Sequence, residues 1–142
     1  MIVLDANLLI YAVNADAPLS RRAKAWLESV LNGREAVGFS WNAILAFLRL
    51  STRQGLFERP LTPDRAFDIV AAWLSRPCAA IVDPGPRHLQ VLRDLLRPLG
   101  TAGNLTSDAH LAALAIEHSA ELCSTDGDFA RFQGLNWRNP LA

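Results

Sequence analysis

Ile2-Val3-Leu4-Asp5-Ala6-Asn7-Leu8-Leu9 opens the chain, and its reading decides the fold. Three consecutive apolar residues, two of them β-branched, predict a short strand buried on both faces. The strand stops at Asp5. Leu8, Leu9, Ala12 and Val13 then recur at helical spacing, so Asp5 stands where a strand turns into a helix. A buried strand feeding directly into a helix is how a parallel α/β sheet begins.

The same alternation continues outward from this start. Residues 19–31 read as an amphipathic helix with Ala23, Trp26, Leu27 and Val30 on one face, ended by Asn32-Gly33. Residues 36–39 are a second strand, and Ser40 caps a helix expected to reach about Arg53. A loop at 56–63 precedes a helix at 64–75. A strand follows at 79–82, and then a helix at 87–96 closed by Pro98 and Gly100. An alanine-rich helix at 106–118, capped by Thr106 or Ser107, leads to a strand at 122–124 and a turn at 125–129. The tail, 135–142, is a candidate edge strand. Strands separated by one or two helices predict an α/β sandwich around a mainly parallel sheet, with one domain over residues 1–142.

Composition narrows the class. With 51% hydrophobic and 20% charged residues, the chain can build a packed core, which excludes disorder. Lys+Arg and Asp+Glu are equal at 14, so no global charge pulls it toward a polyanion. Lys24 is the sole lysine and every other cationic side chain is arginine, the residue suited to bidentate phosphate contacts. GC-rich coding bias produces the same preference. Cys78 and Cys123 lack metal or redox spacing, and Cys123 reads as a buried free thiol. The start has no signal-peptide pattern and no stretch approaches a membrane span, so a cytoplasmic location is expected.

The chemistry sits in four aspartates. Asp5 follows the first strand. Asp126 lies two residues after Ser124, the end of another. In open parallel sheets the working crevice lies beyond the carboxyl ends of the strands, which brings these distant acids to one rim. Asp108, in the first turn of its helix, faces the same rim, and Asp128 follows Asp126 across Gly127. Gathered carboxylates repel one another, and a hard divalent cation removes that cost. Oxygen donors without His or Cys suit Mg²⁺ or Mn²⁺. The implied reaction is phosphodiester hydrolysis by metal-activated water. Asn7 is placed to orient that water or a carboxylate, and Ser124 and Thr125 to hydrogen-bond Asp5 or Asp126. Each residue also has an ordinary role available: Asp5 and Asp126 as caps, Asp108 as a partner of its helix dipole, Ser124 and Thr125 as turn residues. Arg49 suits either a phosphate or a carboxylate partner. His88, His110 and His118 are expected in structural roles, and Trp26, Trp41, Trp73 and Phe47 in the core or an interface. The helices around Phe47–Leu50 and Ala66–Trp73 carry apolar surface fit for the core or for a partner.

Three segments, Ile2-Val3-Leu4-Asp5-Ala6-Asn7, Thr106-Ser107-Asp108-Ala109-His110-Leu111-Ala112 and Ser124-Thr125-Asp126-Gly127-Asp128-Phe129, resemble the PIN-domain family in order and spacing. Within it the chain looks like the VapC ribonuclease toxins of bacterial toxin–antitoxin pairs. Phe47-Leu48-Arg49-Leu50 and the ending Trp137-Arg138-Asn139-Pro140-Leu141 look like one branch of them. The resemblance implies a PIN-like three-layer α/β/α sandwich and a Mg²⁺- or Mn²⁺-dependent endoribonuclease acting on tRNA, rRNA or mRNA. It also implies a VapB-like antitoxin partner and a homodimer, with a heterotetramer or larger assembly when the antitoxin is bound. Metal ligation carries over to Asp5 and Asp108, with Asp126 completing the cluster and Asp128 beside it. The chain departs from the pattern at Ala46, where the family commonly has Glu. Asn42, four residues earlier on that helix face, is the candidate to hold a water there, whereas Glu117 is out of phase with Asp108.

Two other readings compete. A haloacid-dehalogenase-type phosphotransferase also places an aspartate after its first strand, but position 7 is Asn and the required later lysine is missing. A catalytically weak PIN-like module that binds RNA or protein is motivated by Ala46.

Overall fold

The computed structural model describes residues 1–142. Five strands alternate with six helices: β1 (Ile2–Leu4), α1 (Ala6–Val13), α2 (Ser20–Leu31), β2 (Val37–Phe39), α3 (Trp41–Ser51), α4 (Pro63–Leu74), β3 (Ala79–Ile81), α5 (His88–Leu96), α6 (Thr106–Glu117), β4 (Glu121–Cys123) and β5 (Trp137–Arg138). The sheet is parallel throughout, in the order β3-β2-β1-β4-β5. The chain leaves β1 for β2 on one side and returns to β4 on the other, so the strand order reverses beside β1. That reversal opens a crevice at the carboxyl ends of β1 and β4.

Strand periodicity divides the core into two layers. Ile2 and Leu4 join the cluster beneath α1–α4, whereas Val3 joins the one beneath α5 and α6. Trp73 anchors the first layer, stacked on Phe39 at 6.3 Å and edge-on to Phe47 at 4.9 Å. In the second, the alanines of α6 bring that helix close to the sheet, and Ala109, Ala112, Ala113 and Ala115 are all buried. Gly38 marks the tightest contact. A Cβ there would meet Val82 Cγ1 at 2.9 Å and Val3 Cγ2 at 3.2 Å. The α/β/α sandwich expected from the sequence is present.

Local chemistry explains most boundaries. Ser40 accepts from the Ala43 N–H and starts α3, and Thr62 does the same for α4 ahead of Pro63. Elsewhere the sequence expectation needs correcting. Neither Thr106 nor Ser107 caps α6. A 3₁₀ turn, Gly103–Leu105, runs straight into the helix, and the Thr106 hydroxyl donates back to the Gly103 carbonyl. After α5 a second 3₁₀ turn, Arg97–Leu99, ends at Gly100 with φ of 70°. The expected edge strand is real but short, since only Trp137 and Arg138 pair with β4. Trp41 does not enter the core: it is 52% exposed, as are Leu45 (58%) on the same helix and Phe67 (59%) on α4. Phe47, Ala66 and Val70 on these helices are buried. No helix is long and apolar enough to cross a membrane.

Candidate active site

Asp5 is the N-cap of α1 at the end of the central strand, held by two hydrogen bonds. Its Oδ1 accepts from the Ala6 N–H at 2.7 Å, and its Oδ2 accepts from the Ser124 hydroxyl at 2.7 Å. Ser124, fully buried at the end of β4, is the hub of the site. Its oxygen also accepts from Asn7 Nδ2 at 3.1 Å and from the Asp126 N–H at 3.0 Å. One donor and two acceptor positions are thereby all used. Because the hydroxyl proton is spent on Asp5, Asn7 must turn its NH₂ toward Ser124. Asn7 Oδ1 is left buried without a partner, an arrangement native proteins rarely tolerate without a reason. Thr125 makes no side-chain hydrogen bond to either acid, so its expected support falls to Ser124 alone.

Asp126 caps the 3₁₀ turn Gly127–Arg131, its Oδ1 accepting from the Asp128 N–H at 2.9 Å. Asp128 is exposed and lies 3.7 Å from Arg131 Nε. Asp108 differs from all of these. It sits half-buried in the first turn of α6 with no hydrogen-bond or ion-pair partner. Burial, followed by the charges of Asp5, Asp126 and Asp128, pushes its carboxyl up to about 6. Burial also raises Asp5, against the hydrogen bonds from Ser124 and Ala6 that favour its ionised form. The ordinary capping roles of Asp5 and Asp126 are therefore real. They coexist with a shared electrostatic site, because each cap engages only part of its carboxylate.

Asp5 and Asp108 line a cleft of about 190 Å³ together with Ser107, Leu111 and the α3 residues Asn42, Ala46 and Arg49. The expected departure at Ala46 is thus a cleft-lining position, and Asn42 shares its face. Ser107, expected only as a cap, and Leu111 were not among the expected site residues, although Leu111 is three positions from Asp108 and so follows it on the helix surface.

The donor chemistry fits a hard divalent cation. It consists of aspartate and amide oxygens, one carboxylate has no partner, and one amide oxygen is unsatisfied. No three metal-ligating side chains converge into a cage. A cation that takes one or two carboxylates and keeps several waters does not require one.

Glu117 and the histidines lie outside this site. Glu117 accepts from the Gly85 N–H at 3.0 Å and from His88 Nδ1, while His88 Nε2 meets His110 Nδ1 at 2.9 Å. This chain clasps α5 against α6. Burial and the neighbouring His88 push the His110 imidazole below its usual range. Cys123 is the buried thiol expected, raised to about 12 by burial.

Known proteins resemble this chain along its length. The PIN domain family model matches residues 2–135. Ribonuclease VapC37 of Mycobacterium tuberculosis (strain ATCC 25618 / H37Rv) is 47% identical over 142 residues, 100% of this chain and 99% of that protein. Ribonuclease VapC33 of the same strain is 45% identical over 141 residues, 99% of each. Among solved structures, VapBC-1 from nontypeable Haemophilus influenzae is similar with a TM-score of 0.71 and 17% identity, covering 100% of both chains. VapBC2 from Rickettsia felis, bound to a DNA fragment from their promoter, gives 0.70 with 23% identity over 98% of each chain. At these identities the structures speak for the fold.

Proposed function

Since the chain belongs to the PIN-domain family, we propose that it is a divalent-metal-dependent endoribonuclease, the toxin of a VapBC-type toxin–antitoxin pair, acting in the cytoplasm. The observation that carries the metal dependence is Asp108, a half-buried carboxylate without a protein partner, raised to about 6 beside Asp5 and Asp126. Full-length relatives named ribonucleases support the activity. Solved VapBC assemblies of the same fold support a VapB-like antitoxin as partner. The exposed Trp41, Leu45 and Phe67 support a surface covered by that partner or by a second copy.

Asp5 and Asp108 would hold the Mg²⁺ or Mn²⁺ ion, and Asp126 would share the site directly or through water. When bound, the ion lowers the pKa of water and offsets charge on the scissile phosphate. Ser124 fixes the Asp5 carboxylate, and by donating to it favours the ionised form against the burial that disfavours it. Asn7 Oδ1 accepts a hydrogen bond from water at the site, which satisfies its buried oxygen. Asn42 supplies an amide where α3 has no acid. Asp128 acts at the rim through its charge.

The substrate is an RNA of the tRNA, rRNA or mRNA class. Mapping RNA ends after induced expression, with Asp108→Asn as control, identifies it. Discrete new ends with wild type alone support the reading. A second reading, a weak or inactive RNA- or protein-binding module, is favoured by Ala46 in the cleft wall. It predicts no new ends with either protein.

A further inference from the structure

We infer that Arg49 grips the phosphate backbone of the RNA inside the acidic cleft, an assignment that rests on the ribonuclease reading and names the side chain that meets its substrate. The two walls of the cleft differ. One carries Asp5 and Asp108. The other is a stripe of α3, Asn42, Ala46 and Arg49, spaced by four and three residues and hence on one helix face. Arg49 is the sole cationic side chain lining the cleft.

Its guanidinium is unspent. No ion pair in the chain involves Arg49, and no hydrogen bond from its side chain is made to any residue. The choice left open by the sequence, phosphate or carboxylate, therefore falls away from the carboxylate. Arg49 forms no ion pair with Asp5 or Asp108 across the cleft, so it does not neutralise the opposite wall. An exposed guanidinium presents five donors in a planar fork that matches two oxygens of one phosphate. Ala46 puts only a methyl group beside it and leaves the approach open.

Electrostatics gives the arrangement its purpose. RNA entering this cleft meets carboxylates that repel its backbone, and the zero net charge of the chain supplies no compensating field. A metal ion offsets that repulsion at the acids. Arg49 offsets it on the facing wall and fixes where the backbone lies. Arg49 then holds the backbone from the wall that faces the acids, with Asn42 as a further donor.

The test uses the full chain freed of any co-purified partner, with Arg49→Ala and Arg49→Lys beside wild type. Steady-state cleavage of the mapped RNA should show KM raised about tenfold or more in Arg49→Ala, a smaller fall in kcat, and partial recovery in Arg49→Lys. RNA binding measured in an Asp108→Asn background should lose roughly one unit of salt slope when Arg49 is also removed. Mn²⁺ affinity should stay level or tighten in Arg49→Ala, because a competing positive charge has left the cleft. A merely structural arginine would weaken both ligands together. Wild-type cleavage with KM and salt slope unchanged in Arg49→Ala overturns the assignment alone. So does loss of Mn²⁺ binding in step with RNA binding. A wild type that neither cuts nor binds RNA overturns the ribonuclease reading and this assignment with it.

Discussion

The hydroxyl of Ser124 donates to Oδ2 of Asp5 at 2.7 Å, joining the ends of two neighbouring parallel strands across 119 positions of sequence. The same oxygen takes the Asn7 amide and the Asp126 N–H. One small side chain therefore sets the orientation of three residues of the site.

Ser124→Ala removes all of this at once. A buried unsatisfied donor or acceptor costs about 1–3 kcal/mol, so denaturant unfolding should show a loss of that order. RNA cleavage should fall about 10- to 100-fold as Asp5 loses its fixed rotamer. Unchanged activity with normal stability would show that Asp5 is positioned by its cap alone.

The raised carboxyl of Asp108 gives two pH dependences of opposite sign. Metal binding needs the ionised form, so Mn²⁺ affinity and cleavage should fall as pH drops through about 6. Stability without metal runs the other way. Between the unfolded value of 3.8 and about 6 the folded chain binds the extra proton, so stability should rise as pH falls through that window. Thermal melts in chelator from pH 7.5 to 5 check this. Asp108→Asn should flatten the trend, and Mn²⁺ should raise the neutral-pH melt of wild type but not of the variant.

Asp126 and Asp128 should separate. Asp128 is exposed, and its carboxylate is paired only loosely with Arg131, so Asp128→Ala should cost cleavage only a few-fold. Asp126→Ala removes both a cap and a charge beside Asp108, and should cost about tenfold or more together with about 1 kcal/mol of stability. Equal losses in a cleavage assay would place Asp128 closer to the reacting atoms than its exposure indicates.

Gly38→Ala should destabilise by about 1–3 kcal/mol through its contacts with Val82 and Val3. Adding Val82→Ala should cost less in that background than alone, since it frees the space the new methyl needs. Urea unfolding of the four proteins in the cycle measures the coupling.

Much of this was legible because the local signals are short-range. Ile2–Leu4 is apolar at every position because helices cover both faces of β1, and Asp5 ends it. Ser40 announces α3 by its capping chemistry. Asp5, Asp108 and Asp126 could be brought to one rim because parallel strands put their carboxyl ends together. Other features depend on contacts that leave no local trace. The 3₁₀ turn before α6 takes over the start of the helix from Thr106 and Ser107. The clasp of His88 to Glu117 spans 29 positions, and no spacing rule ties the start of one helix to the end of the next. Trp41 looks like a core residue by type, but it follows Ser40 on the outward side of α3, whose inner face is filled by Ala43, Ile44 and Phe47. Ser124 and Thr125 are equivalent as sequence. Only the direction of β4 decides that Ser124 points inward to Asp5.

The most direct test is a Mn²⁺ titration of RNA cleavage by the full chain freed of its partner, wild type beside Asp108→Asn. Cleavage should rise from nothing in chelator to saturation with the metal, and should drop at least about a hundredfold in the variant. Cleavage that persists in excess chelator, or that is equal in wild type and Asp108→Asn, would contradict a metal-dependent site built on these aspartates.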